Sequence, residues 1–163
     1  MFGEYMICES AAGAAEKGSA MGQDPGEQRQ AQAGPSPLGE ADLERLVECF
    51  YARVRRDEML GPLFNAALDD WPDHLVRLQA FWSSVMLTTG RYKGSPMAAH
   101  LRHGEAIRPE MFDRWLALWR DTARAQLNAH DAAAIVARAE RIAESLKLAL
   151  FFRLDRESGR AAA

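Results

Sequence analysis

Residues 70–90 read DWPDHLVRLQAFWSSVMLTTG. Asp70-Trp71-Pro72 places a proline in the first turn of a helix, where the N–H it lacks would have had no intrahelical partner. His74, Leu78, Phe81, Trp82 and Val85 then recur three and four residues apart, so they share one helical face that ends near Thr89-Gly90. The same spacing extends to both sides. Toward the N-terminus, Leu43, Leu46, Val47, Phe50, Tyr51 and Val54 form one stripe on a helix of about four turns, broken at Gly61-Pro62. Toward the C-terminus, residues 90–97 read as an ordered loop, followed by a short helical piece bearing His100 and His103. Pro109 opens a further helix whose inner face holds Phe112, Trp115, Leu116, Trp119, Ala123 and Leu127. Asp131 is a cap or first-turn acid for a last long helix, with Ile135, Ala139, Ile142, Leu146, Ala149 and Leu150 as its stripe. Four substantial helices with short connectors result. Val, Ile and Thr number five, four and three among 163 residues, too few β-branched side chains for a sheet. The fold class is all-α.

Composition narrows the function. With 48% hydrophobic and 26% charged residues the chain can bury a core of its own, and its length suits one domain. The net charge of −3 provides no basic excess for neutralising phosphates, so nucleic acid is not an expected partner. No apolar run is long enough to span a bilayer, and a cytoplasmic monomer is expected. Residues 1–37 hold six of the 12 glycines and no lasting amphipathic period, which predicts a disordered extension closed by Pro35-Ser36-Pro37. Met1–Ile7 is apolar but lacks the basic start and length of a secretory signal. The expected organisation is extension 1–37, domain 38–155 and disordered tail 156–163. Cys8 and Cys49 sit far apart in different kinds of segment, so neither a disulfide framework nor a thiolate metal site is expected.

Three residues fit a purely apolar core poorly. His74 starts an otherwise apolar stripe, Tyr51 lies on the inward face of the first helix, and Trp115 brings an indole N–H to the face of another. Each taken alone is most simply a polar tip that reaches solvent or a carbonyl. Three of them on three inward faces can instead converge on a pocket that needs hydrogen-bond donors.

Phe50-Tyr51-Ala52-Arg53-Val54, Leu60-Gly61-Pro62-Leu63-Phe64, Trp71-Pro72-Asp73-His74, Phe81-Trp82-Ser83-Ser84-Val85 and Arg91-Tyr92-Lys93-Gly94-Ser95-Pro96-Met97 follow one another in that order. After them come His100 and Phe112-Asp113-Arg114-Trp115-Leu116. From about Asp42 to Phe152 the chain resembles the group III truncated haemoglobins. The resemblance implies a truncated globin fold, a two-over-two helical sandwich around one haem b (iron protoporphyrin IX). It implies His100 as the axial iron ligand, a role for which His103 is the rival on residue chemistry alone. Tyr51, His74 and Trp115 fall on the distal positions, where donors stabilise a diatomic ligand that takes on negative charge. Leu78 becomes a pocket wall, and Phe50, Phe81, Met97, Ile107, Phe112 and Ile142 become apolar haem contacts. Arg91, Tyr92 and Lys93 become partners for the haem propionates.

The resemblance further implies O2, NO and CO as ligands, with nitric oxide oxidation, peroxidase-like chemistry or sensing as the outcome. Steady turnover of nitric oxide would also require an unidentified reductase. No catalytic side chain separate from these is expected. Without the cofactor the same helices would make an interaction module with coincidental polar tips. A hydrolase built on Cys49 or His100 lacks the companion residues of a triad and a Gly-rich turn.

Overall fold

The computed structural model describes the backbone of residues 37–160 and the side chains of residues 37–151. Apart from Pro37, the extension expected to be disordered lies outside the described residues. Within them the chain forms six helices and no strand. These are α1 (Glu40–Val54), α2 (Gly61–Ala67), α3 (Trp71–Leu87), α4 (Pro96–Arg102), α5 (Pro109–Gln126) and α6 (Ala129–Arg160).

The four long helices stand where the apolar periods place them. Asp70 Oδ1 accepts the Asp73 N–H at 3.0 Å to cap α3, and Asn128 Oδ1 accepts the Asp131 N–H at 3.0 Å at the start of α6. Asp131 is therefore a first-turn acid, not the cap. Sequence and structure part at three places. Gly61-Pro62 does not end α1, which stops at Val54; Pro62 sits instead in the first turn of the two-turn helix α2. Gly61 is required there because a Cβ would stand 2.9 Å from the Arg55 carbonyl oxygen. His103 is not on α4 but caps its C-terminus. Finally, α6 continues to Arg160, through residues 156–160 that were expected to be tail. Residues 147–158 contain neither Pro nor Gly, and good helix formers dominate them, so nothing there stops the helix.

Leu43, Leu46, Val47, Phe50, Tyr51 and Val54 of α1 are all buried, and α1 packs across both α3 and α5. α5 in turn lies along α6, which also carries α4. The pairs α1/α3 and α5/α6 make the two-over-two sandwich. Its centre is Trp119, fully buried with Phe50 set edge-on at 4.7 Å. A second apolar cluster between α5 and α6 (Phe112, Ala143, Leu146, Leu150) receives Met97 from α4. Cys49 is half-buried and is not a free thiol, contrary to the expectation of an unbridged cysteine. Among the described residues no helix is long and apolar enough to cross a membrane.

Candidate haem and ligand pocket

Between the two helix pairs lies a cavity of about 600 Å³, within the range of about 300–1,000 Å³ typical of ligand and cofactor pockets. Its walls are mostly apolar. α3 contributes Leu78, Phe81 and Trp82, α5 contributes Met111 and Phe112, and α6 contributes Ile142 and Leu146. Ile107 closes one side from the α4–α5 connector.

One end is polar. Tyr51 of α1, His74 of α3 and Trp115 of α5 all face the cavity. The Tyr51 and His74 rings stand perpendicular, with centroids 5.9 Å apart. Burial pushes the Tyr51 phenol far above its usual value, and the Trp115 N–H donated to its oxygen offsets this only in part. Tyr51 is therefore a neutral hydroxyl. Its O–H faces the cavity as a donor or acceptor. Burial also lowers the pKa of His74, helped by the positive charge of Arg77 and by His100, while Asp73 opposes the shift. His74 is thus a neutral imidazole near pH 7.

His100 projects into the same cavity from α4. Its Nδ1 lies 2.7 Å from the Pro96 carbonyl oxygen. A carbonyl can only accept, so Nδ1 carries a proton, and in the neutral ring Nε2 keeps a bare lone pair. That arrangement, one ring nitrogen tied to a backbone carbonyl and the other open, is the one a metal-ligating histidine uses. His103 is exposed and does not reach the cavity wall.

The rim is basic. Arg77, Arg91, Lys93 and Arg102 border the opening. Arg77 pairs with Asp73 at 2.6 Å and Arg91 with Glu40 at 2.8 Å. The loop bearing Arg91, Tyr92 and Lys93 leaves α3 through two residues of positive φ, Thr88 at 56° and Gly90 at 66°. It is held by Ser83 Oγ, 2.6 Å from Glu40 Oε1 and 2.7 Å from Thr89 Oγ1, and by the Tyr92 N–H donated to Ser84 Oγ at 2.9 Å.

Most residues singled out in the sequence meet at this cavity: Tyr51, His74, Leu78, Phe81, Arg91, Tyr92, Lys93, His100, Ile107, Phe112, Trp115 and Ile142. Two do not. Phe50 lies behind the wall, fully buried and edge-on to Tyr51 at 4.8 Å and Trp115 at 5.0 Å, so it supports those rings instead of lining the cavity. Met97 is turned beneath α4 into the second apolar cluster. Missing from the sequence reading are Arg77 and Arg102 at the rim, Leu63 and Phe64 of α2, and the cavity-facing side of Trp82. Arg77 was legible in principle, three residues after His74 on one helical face.

Two crossed helix pairs, enclosing an apolar cavity with a lone-pair histidine on one wall and hydrogen-bond donors at one end, define a globin. The chain is 30% identical over 118 residues to the group 3 truncated hemoglobin ctb of Campylobacter jejuni, a match covering 70% of this chain and 92% of that protein. The crystal structure of the group III truncated hemoglobin from C. jejuni superposes with a TM-score of 0.65 at 30% identity, over 71% of this chain and 94% of that one. No family model matches. This chain belongs to the group III truncated haemoglobins. Membership of a globin family implies haem as the cofactor and a small gaseous ligand. The residues present fit that group: an apolar slot, an imidazole with its Nε2 open, and basic side chains at the mouth for carboxylates.

Proposed function

We propose that the protein holds haem b in this cavity, with His100 Nε2 as the axial ligand, and binds O2, NO and CO between Tyr51, His74 and Trp115. Haem iron, when bound, supplies a reversible site for a diatomic molecule. The chain supplies the rest. Pro96 O fixes the His100 tautomer; Lys93, Arg91 and Arg102 hold carboxylates at the rim; the apolar walls exclude water. Trp115 donates to Tyr51, and Tyr51 donates into the cavity toward a ligand that accumulates negative charge. The observation that carries this reading is that a tautomer-fixed His100 and the polar tips of Tyr51, His74 and Trp115 all face one apolar cavity.

Such donors slow the release of O2, which favours reaction or sensing over bulk delivery. Oxidation of nitric oxide to nitrate by O2 is the reaction we assign, with a separate reductase returning the iron to the ferrous state. An absorbance spectrum of the purified protein is the first test. An intense haem band is expected, and its absence would leave a cofactor-free helical module. Nitric oxide consumption by the oxygenated protein then separates reaction from storage.

A further inference from the structure

Three of the four tryptophans form one stack through the middle of the fold. Trp115 and Trp119 of α5 lie within 10° of parallel with centroids 5.2 Å apart. Trp119 and Trp82 of α3 lie within 19° at 4.5 Å. The two outer indoles face the cavity, and Trp119 is fully buried between them. From Trp82, edge contacts to Phe81 (5.4 Å) and from Phe81 to Tyr92 (5.3 Å) carry the rings out to the half-exposed rim.

Packing alone does not call for this arrangement. Rings pack equally well edge-to-face, as Phe50 does on both Trp115 and Trp119. Moreover, the Trp119 N–H is the one buried side-chain nitrogen or oxygen among the described residues without a hydrogen-bond partner, and a phenylalanine would have avoided that loss. Both features make sense for a ring that gives up an electron. An oxidised indole is a cation, and here it would lie between two π faces that attract cations. With no acceptor at its nitrogen it keeps its proton, so re-reduction needs only an electron.

We propose that the Trp115–Trp119–Trp82 stack is a one-electron donor to the cavity, supplying one of the two electrons when a hydroperoxide is reduced there. The inference rests on the reading of the cavity as a haem site. In the reaction the O–O bond of ROOH breaks, and two electrons with two protons from water yield ROH and H2O. One electron comes from the haem and one from the stack. Two molecules of a one-electron organic reductant, of the phenol or ascorbate class, then restore both, each losing one electron and one proton. Tyr92 is where the reductant meets the ring chain.

The test uses ferric, haem-loaded protein grown on indole-deuterated tryptophan, mixed with hydrogen peroxide and frozen for electron paramagnetic resonance. A radical signal narrowed by the deuteration is expected. Trp119→Phe should abolish that signal and move the spin to tyrosine while leaving the haem spectrum unchanged. Trp82→Phe should keep the tryptophan signal but slow its decay with ascorbate. A tyrosyl radical alone in the unsubstituted protein, or a tryptophan signal that survives Trp119→Phe, would overturn the proposal. Should Trp119→Phe fail to fold, flash photo-oxidation of the haem-free protein decides: a proton-retaining indole radical cation is expected, and the deprotonated neutral radical would overturn it. No haem band in the purified protein defeats the cofactor reading, whereas a haem band with only a tyrosyl radical defeats the stack.

Discussion

At the level of single residues, the proposed site divides labour between side chains that would touch a ligand and groups that orient them. His100 is useful because Pro96 O holds its Nδ1 proton. His100→Ala should abolish the axial nitrogen signature in the absorbance and resonance Raman spectra, while His103→Ala should leave both as they were. The reverse pattern would show that the ligand had been misassigned. Tyr51 depends on a neighbour in the same way. A hydroxyl donating to a negatively charged ligand contributes roughly 1–3 kcal/mol. Tyr51→Phe, which keeps the ring, should therefore speed O2 release about five- to a hundredfold, at about 1.4 kcal/mol per decade. CO, whose oxygen carries little charge, should respond far less. If Trp115 supports Tyr51 as proposed, Trp115→Phe should also speed O2 release, and the double variant should show less than the product of the two effects. An O2 dissociation rate that Tyr51→Phe leaves unchanged would remove Tyr51 from the donor set. The sequence showed these side chains as polar tips on apolar faces, which located the pocket. It could not show that Trp115 serves Tyr51 or that Pro96 serves His100, because both depend on interatomic distance.

At the level of elements, the long helices were legible because each keeps one apolar stripe for four turns or more. Of the short ones, α4 was read as a helical piece bearing His100, and α2 was missed. α2 and α4 have seven residues each, too few for a period to declare itself against loop composition. α2 is instead fixed by the turn before it. Asp57 Oδ1 accepts the N–H groups of Met59 and Leu60, each at 3.0 Å. Its other oxygen meets Arg114 of α5 at 2.7 Å. The carboxylate is nearly buried, at 5% exposure. Burial pushes its pKa up, but Arg114 and the two N–H groups more than offset this, and the net shift is downward. A group with a depressed folded-state pKa contributes stability above its unfolded value, and that contribution is lost as pH falls through the folded value. Asp57→Asn should therefore destabilise the protein at neutral pH by about 1–3 kcal/mol. In urea unfolding, the gap from the parent should narrow once pH drops below the ordinary carboxylate value of 3.8. A gap independent of pH would mean that Asp57 acts through shape and not charge.

For the whole molecule, the helices differ in what holds them. The buried face of α1 is shared with α3 and α5, and α5 is sealed along α6. These helices would keep their core with or without a cofactor. α4 has no buried residue, and its packing is chiefly against α6, with Met97 set into the second apolar cluster. Its other tie to the fold is His100, which faces the cavity. Phe81, Trp115 and Ile142 stand only half-buried on the walls, so haem bound there would cover apolar surface that the chain alone does not. A ligand that binds only the folded state stabilises it by about 4 kcal/mol at a thousandfold excess over Kd. Stripping haem should accordingly lower the melting temperature by about 10 °C or more. That loss should not be spread evenly. Amides of α4 and of the rim loop at residues 88–95 should exchange fast in the haem-free protein and slowly once haem is restored. Those of α1 and α5 should stay protected in both states, because local opening follows where buried contacts are few. If haem removal instead raised exchange uniformly across α1, α5 and α6, the cofactor would be part of one cooperative core. The picture of a self-sufficient sandwich with a histidine-bearing flap tied down by haem would then be wrong.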